Sequence, residues 1–189
     1  MTDEIENDAA TSGDDQPGEK KSLLERIATE LWRLNESEAT GELAALRRMR
    51  RHDVPPAAFY RLMARAGAYE MGPHCVRRWA HAVAIMAQRP DSLKASGLGE
   101  ALKCIGFSER RLDMLLYARG PALYDLALRT AVRIAKSGEQ LPYRDLCHLV
   151  LYDDRRDKAR EADDVRIRVA QSFLRASDKA TDAATAAAT

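Results

Sequence analysis

The histidine and cysteine side chains are the residues of this sequence best suited to metal binding or nucleophilic chemistry. They are His52, His74, His81, His148, Cys75, Cys104 and Cys147. None of them forms a Cys-x-x-Cys or His-x-x-x-His pair, the spacings that bring two ligands to one metal. The phosphate-binding loop, the dinucleotide-binding glycine pattern and the Gly-x-Ser-x-Gly elbow are also missing. We therefore expect no catalytic residue, no metal site and no cofactor, and we interpret these side chains as packed or surface groups.

Arginine is the residue type whose number and spacing point to a different chemistry. The chain contains 23 arginines and seven lysines, and residues 44–89 hold nine arginines against two acids, Asp53 and Glu70. A guanidinium is a planar fork that binds phosphate in bidentate fashion, whereas an ammonium is a hydrated point charge. A phosphate-rich partner is one interpretation. The other is a solvated surface in a protein of arginine-rich composition.

The densest arginine cluster follows Leu46 on a predicted helix and comprises Arg47, Arg48, Arg50 and Arg51. Arg47 and Arg51 would be i, i+4 neighbours on that helix. Four guanidiniums on two turns repel one another, so the cluster costs stability unless a polyanion neutralises it. This favours a functional role for the cluster.

Smaller arginine groups recur along the chain. The pair Arg77-Arg78 lies on a predicted helix, and Arg110-Arg111 lies in a first helical turn, where cations oppose the helix dipole. Arg129 and Arg133 form a stripe with Lys136, although Asp125 could pair with Arg129. These groups indicate further anion-binding positions.

Length and composition restrict the class of protein. The chain has 189 residues, 46% of them hydrophobic and 31% charged, with a formal net charge of +1. This suits one large or two small domains and excludes collagen-like, disulfide-scaffold and wholly disordered classes. The apolar runs fall short of the ~20 residues that span a bilayer. The acidic N-terminus is no signal peptide, and three scattered cysteines fit a reducing cytoplasm.

The apolar residues repeat at helical spacing and no strand-like alternation is present, so we predict an all-α fold. A capping box formed by Ser22 and Glu25 opens the first helix. The second helix is expected from Thr40 or Gly41 to about His52, and the last from Asp163-Asp164. The other predicted helices begin at Pro55-Pro56, Pro73, Leu98, Ser108, Gly120-Pro121 and Pro142.

Two terminal segments and one loop divide the predicted helices into units. Residues 1–21 form an acidic leader, because residues 1–19 hold seven acids and no lysine or arginine, and we expect it to be disordered. Residues 177–189 are rich in alanine and threonine and are also expected to lack fixed structure. The polar loop at 91–96 separates a bundle at 22–90 from a second bundle at 97–176.

In their order and spacing, several segments resemble the CasB family, the small subunit of the type I-E CRISPR surveillance complex called Cascade. The matching segments are Gly41–Arg48, Pro56–Leu62, Leu98–Leu102, Ser108–Leu112, Leu115–Arg119, Leu128–Arg133 and Val165–Phe173. The resemblance covers roughly residues 22–176. The leader, the tail, the charged stretch from Tyr152 to Ala162, and Val169-Ala170 in place of a tryptophan depart from the family pattern.

The resemblance implies a helical protein of two small bundles without catalytic activity. Such a subunit would occur in two copies that contact each other and the backbone and large subunits of Cascade. It would stabilise the R-loop by binding the target and the displaced DNA strands through phosphates, and the guide RNA only indirectly. No membrane is involved. Together, the arginine pattern and the resemblance predict ten nucleic-acid-binding residues: Arg47, Arg48, Arg51, Arg77, Arg78, Arg110, Arg111, Arg119, Arg129 and Arg133.

Residues 98–118 also support a different interpretation. Two helical segments joined at Gly106 have helix-turn-helix spacing, which would place Glu109, Arg110 and Arg111 at the start of a recognition helix. The chain would then be a stand-alone transcriptional regulator. Any αα-hairpin with a glycine turn has this spacing, so the motif has low specificity. A helical enzyme with an unrecognised site is the third interpretation.

Overall fold

Nine helices and two very short strands make up the part of the chain that the computed structural model describes, namely residues 21–49, 54–153 and 155–187. The prediction of an all-α fold is confirmed. The helices are α1 Leu23–Glu36, α2 Thr40–Arg47, α3 Ala57–Arg65, α4 Pro73–Met86, α5 Leu98–Cys104, α6 Glu109–Tyr117, α7 Gly120–Ser137, α8 Tyr143–Tyr152 and α9 Ala159–Ala187. The strands are β1 Leu93–Lys94 and β2 Leu141–Pro142, and they pair in parallel.

The predicted capping box at the start of α1 is present. The Ser22 hydroxyl accepts a hydrogen bond from the Glu25 backbone N–H, and the Glu25 carboxylate accepts one from the Ser22 backbone N–H. The hydrogen bond from the Ser22 backbone N–H to the carboxylate is the largest of the effects that hold the pKa of Glu25 below its ordinary value. A glycine ends α7 at its C-terminus. Gly138, just after the last helical residue, adopts a left-handed φ of 85°.

Helix α2 is shorter than its sequence pattern predicts. It ends at Arg47, after which Met49 turns into the core. A longer helix would have set Arg47 against Arg51, and like charges at i, i+4 are destabilising. Residues 50–53, and Arg51 with them, lie outside the described residues.

Helix α9 is longer than predicted at both ends. It begins at Ala159, after a 3₁₀ turn at Arg156–Lys158, and not at Asp163-Asp164. Its backbone continues to Ala187, although no fixed structure was expected from Ser177. Alanine has the highest helix propensity, and the tail contains no glycine or proline to end the helix. Val165, Val169 and Phe173 face the core as predicted, whereas Leu174 is half exposed because it lies off this i, i+4 stripe.

The hydrophobic core is one cluster of buried side chains drawn from both halves of the chain. Helix α4 packs against α7 and α8, and α8 packs against α9. The loop expected to separate two bundles forms a 3₁₀ turn against α1 and then β1, which pairs with β2. Pro90 in this segment is buried. The division into bundles at 22–90 and 97–176 stays a prediction.

Helix α5 approaches α9 closely, and Gly99 makes this approach possible. A Cβ atom at position 99 would lie under 3.0 Å from the Ser172 hydroxyl, the Phe173 backbone nitrogen and the Val169 carbonyl oxygen. Since two of these atoms belong to backbone, they cannot move aside without displacing α9. The absence of a side chain at Gly99 therefore sets the distance between these helices.

Two buried carboxylates on or beside α8 satisfy the N-termini of other helices. The Asp145 Oδ2 accepts hydrogen bonds from the backbone N–H groups of Gly97 and Leu98 at the start of α5, each at 3.2 Å. The Asp153 Oδ2 accepts one from the Gly120 N–H at the start of α7, at 2.6 Å. A carboxylate at a helix N-terminus also complements the helix dipole. Each aspartate thus fixes a distant helix to α8.

Arginines of α9 complete both of these contacts. Arg168 donates to Asp145 Oδ1 at 2.9 Å, and Arg166 has an Nη2 atom 3.9 Å from Asp153 Oδ1. Arg166 also donates from Nε to the Leu116 carbonyl at the end of α6. Burial, and next the charge of Arg119, lowers the pKa of Arg166. These polar contacts hold α5, α6 and α7 in place relative to α8 and α9.

The packing of α8 predicts unequal reactivity of the three thiols. Cys147 is fully buried and donates to the Ala82 carbonyl, and burial raises its pKa, whereas Cys75 and Cys104 are exposed. Brief treatment of the folded protein with iodoacetamide should therefore modify Cys75 and Cys104 only. Mass spectrometry of the intact protein and its peptides would show this, with Cys147 modified only after denaturation. Equal modification of Cys147 in the folded protein would contradict the packing of α4 on α8.

Among the described residues, no helix has the length and apolarity required to cross a membrane.

Candidate nucleic-acid interface

The ten predicted arginines fall into groups that differ in what their guanidiniums contact. The guanidiniums of six of them form no hydrogen bond or ion pair with any described residue, and five of these six side chains are exposed. Arg78 is the half-buried one. This set, called here the unpaired arginines, comprises Arg48, Arg77, Arg78, Arg110, Arg111 and Arg129. The described residues therefore leave these six charges without an ion-pair partner.

Three other predicted arginines are bound to backbone carbonyl groups. Arg47 donates to the Ala87 carbonyl at 2.7 Å, just beyond the end of α4. Arg119 donates to the Leu116 and Ala118 carbonyls. Arg133 donates to the Ile105 carbonyl and lies over the Phe107 ring, 5.6 Å from its centroid. These guanidiniums join elements of the fold, so any nucleic-acid contact they make would compete with a structural one.

Helix α6 presents Arg110 and Arg111 to solvent. Its buried face consists of Leu112, Leu115 and Leu116, which pack into the core and fix the orientation of the helix. Both arginines lie in the first turn, where the partial positive charge of the helix end disfavours a cation. Their positive charges therefore lower the stability of α6 slightly, and no described residue forms an ion pair with them that would offset this loss.

Helix α4 carries Arg77 and Arg78 one turn after its N-terminus at Pro73. Both line a groove between α3, α4 and the start of α7, with a volume of about 740 Å³. Arg78 also lines a neighbouring groove with Arg155 and Tyr152, at the end of α8. Tyr152 and Arg155 in turn line a third groove that includes Arg119 and Arg156. The three grooves share lining residues and so form a continuous surface with several arginines.

Two arginines on this surface were missed by the sequence analysis. Arg155 bonds to Asp157 in a bidentate pair, while Arg156 is exposed and makes no hydrogen bond or ion pair with the described residues. Within residues 155–160 four of the six side chains are basic, a local charge excess that could have drawn attention to this segment. The sequence did not show that this segment lies close to α4 in the fold, where Arg155 and Arg78 line one groove.

Two of the described histidines, His81 and His148, pack in ring stacks at different helix contacts. No group of three histidine, cysteine, aspartate or glutamate side chains within the described ranges could hold a metal ion. His81 stacks on Tyr124 with ring centroids 4.6 Å apart, and His148 stacks on Tyr152 at 4.7 Å. Burial, and next the charge of Arg144, lowers the pKa of His148. Both histidines act as packed rings at helix contacts.

The segment interpreted as a possible helix-turn-helix is a pair of short helices, α5 and α6. Helix α5 is packed against α9 around Gly99, and Gly106 in the turn has a left-handed φ of 66°. The pair therefore holds Arg110 and Arg111 on a fixed support. This geometry serves phosphate binding and base recognition alike, so it does not by itself distinguish the two interpretations.

Comparison with known proteins favours a CRISPR-associated subunit over a stand-alone regulator. The sequence model of the family described as CRISPR-associated protein Cse2 matches residues 42–174, which is more than half of the chain and covers eight of the described helices, α2 to α9, in whole or in part. No curated protein and no solved structure matched the chain. The match agrees with the resemblance to the small subunit, since Cse2 and CasB denote the same family. The chain belongs to the Cse2 family, and it is a small subunit of the type I-E CRISPR Cascade complex.

Proposed function

We propose that this chain is a non-catalytic subunit that binds DNA strands in Cascade and thereby stabilises the R-loop. The observation that carries the proposal is the set of six unpaired arginines, which offer guanidiniums to a polyanion without breaking contacts in the fold. Base pairing with the guide RNA supplies sequence specificity in such a complex. The subunit then needs only to hold phosphates of the target and displaced strands.

The proposed partners follow from the family. They are the backbone and large subunits of Cascade, a second copy of this chain and the two DNA strands, with the guide RNA contacted only indirectly. The setting is the cytoplasm, where three free thiols are stable. No cofactor takes part in this role.

Arg110 and Arg111 provide the clearest test because their loss should separate binding from stability. In Cascade reconstituted with the Arg110→Gln/Arg111→Gln chain, we expect the affinity for matched double-stranded DNA to fall on the order of tenfold at ~0.1 M salt. The plot of log affinity against log salt should become shallower by about 0.7 to 0.9 for each lost phosphate contact. The melting temperature of the isolated chain should stay the same or rise, because two cations leave the N-terminus of α6.

A matched control replaces Arg26 and Arg175, two exposed arginines outside the predicted set, by glutamine. This variant should assemble into Cascade and bind DNA with an unchanged salt slope. The proposal for α6 fails if the Arg110→Gln/Arg111→Gln complex assembles and shows the same affinity and slope as the original. A loss restricted to particular base sequences would instead support base recognition by α6.

A further inference from the structure

The groove between α3, α4 and the start of α7 combines positive charge with accessible aromatic rings. Besides Arg77 and Arg78 it is lined by Tyr60, His74, His81 and Tyr124. None of its described lining residues is a carboxylate. The volume of about 740 Å³ exceeds what a phosphate needs and lies in the range of sites that hold small organic molecules.

The charge in the groove comes from two guanidiniums that no described residue pairs. Arg77 and Arg78 make no hydrogen bond or ion pair with any described residue. Because α4 has Pro73 at its first position and no acid in its first turn, no carboxylate of that turn neutralises them. A chain of phosphates along the groove would therefore meet two available guanidiniums.

The aromatic side chains in the groove are held in fixed positions. Tyr60 is 47% exposed, while its neighbour Phe59 is fully buried and contacts the Tyr60 ring edge-on with centroids 5.3 Å apart. The His81 ring stacks on the Tyr124 ring at an interplanar angle of 16°, which joins α4 to α7 at the groove wall. Tyr60 thus offers a partly exposed ring in the groove, in contact with the core through Phe59.

Phosphate binding alone does not account for this lining. Exposed aromatic rings beside unpaired arginines are the combination by which proteins bind single strands, because every unpaired base has a face that can stack. Bases within a duplex stack on one another and are not available to a tyrosine. Single-stranded DNA is therefore the ligand whose chemistry uses both features of the groove.

We propose that this groove binds single-stranded DNA by stacking an unpaired base on Tyr60, with Arg77 and Arg78 holding the adjacent phosphates. This inference rests on the proposed function and adds to it a contact with bases at one defined place. The stacking is tolerant of base identity. It extends the role of this surface from neutralising a strand to holding its bases unpaired.

The test compares two strands of equal length, an oligothymidylate and an abasic strand that has phosphates but no bases. Fluorescence anisotropy at low salt measures the binding of the full chain to each. Tyr60→Ala should lower the affinity for oligothymidylate roughly tenfold and leave the affinity for the abasic strand unchanged. Tyr60→Phe, which keeps the ring, should bind both strands as the original does.

Two further variants separate stacking from charge and from general aromatic exposure. Arg77→Gln/Arg78→Gln should weaken the binding of both strands, and Trp32→Ala, which removes a half-exposed ring outside this groove, should weaken neither. Equal oligothymidylate affinity for Tyr60→Ala and the original chain would overturn the stacking proposal. If Arg77→Gln/Arg78→Gln still weakened both strands, phosphate binding in the groove would survive. Failure of the full chain to bind oligothymidylate at low salt would also overturn the inference. The proposed function is tested separately, by DNA binding of Cascade assembled with the Arg110→Gln/Arg111→Gln chain.

Discussion

Replacing Gly99 by alanine is expected to destabilise the protein by roughly 3 kcal/mol, since overpacking of a core costs ~1–3 kcal/mol and more when backbone must move. The added methyl group would overlap the Ser172 hydroxyl and the backbone of α9. Chemical denaturation followed by circular dichroism measures this change as a lower midpoint. The expected direction is opposite to the usual gain when alanine replaces glycine in a helix.

Gly41→Ala is the matched control for this prediction. Gly41 lies near the start of α2, and a Cβ atom there meets no heavy atom within 4 Å. We expect no loss of stability for Gly41→Ala, and a gain of up to ~1 kcal/mol from helix propensity. If Gly99→Ala behaved like Gly41→Ala, the close approach of α5 to α9 would be wrong. Because α5 leads directly into α6, the position of Arg110 and Arg111 would then also need revision.

Removing the carboxylate of Asp145 is expected to have the other large effect. Asp145 is 2% exposed and accepts three hydrogen bonds, two from the N-terminus of α5 and one from Arg168. Asp145→Ala leaves two backbone N–H groups without their acceptor, and each unsatisfied buried donor costs ~1–3 kcal/mol. We expect a total loss of about 3 kcal/mol. The ion pair adds little to this figure because the Arg168 side chain is half exposed.

Two variants resolve the origin of the Asp145 effect. Asp145→Asn keeps an oxygen that can accept from the start of α5, so its loss should be smaller, about 1 kcal/mol. Asp125→Ala removes an exposed carboxylate from the middle of α7 and should change the free energy of unfolding by less than ~0.5 kcal/mol. Urea denaturation of all three measures these differences. A value for Asp145→Ala as small as that for Asp125→Ala would contradict the role of Asp145 as the cap of α5.

Local sequence signals predicted most of the helices because their causes are local. The Ser22 and Glu25 capping box, the prolines at helix starts and Gly138 at the end of α7 each act within one helical turn. Three helix bounds differ from the prediction, namely the end of α2 and both ends of α9. Met49 ends α2 by entering the core, and the alanine-rich tail extends α9 because nothing in it stops a helix.

The contacts between distant segments could not be predicted from the sequence. Asp153 caps α7 through the Gly120 N–H, 33 residues away in the sequence, and the packing of α8 on α7 brings the two together. The same limit applied to the arginines. The charge pattern predicted which positions could bind phosphate, but only the fold shows that Arg47 is held by Ala87 and Arg133 by Ile105, whereas Arg110 and Arg111 are not held by any described residue.

The most direct test of the account replaces all six unpaired arginines by glutamine and measures R-loop stability in Cascade. The original and variant complexes are assembled, their subunit composition is checked, and the dissociation of matched DNA is followed over a series of salt concentrations. We expect the variant complex to assemble fully and to lose DNA faster, with a dissociation rate that depends less steeply on salt. An assembled variant complex with the original dissociation rate and salt dependence would contradict the central claim that these arginines bind DNA strands.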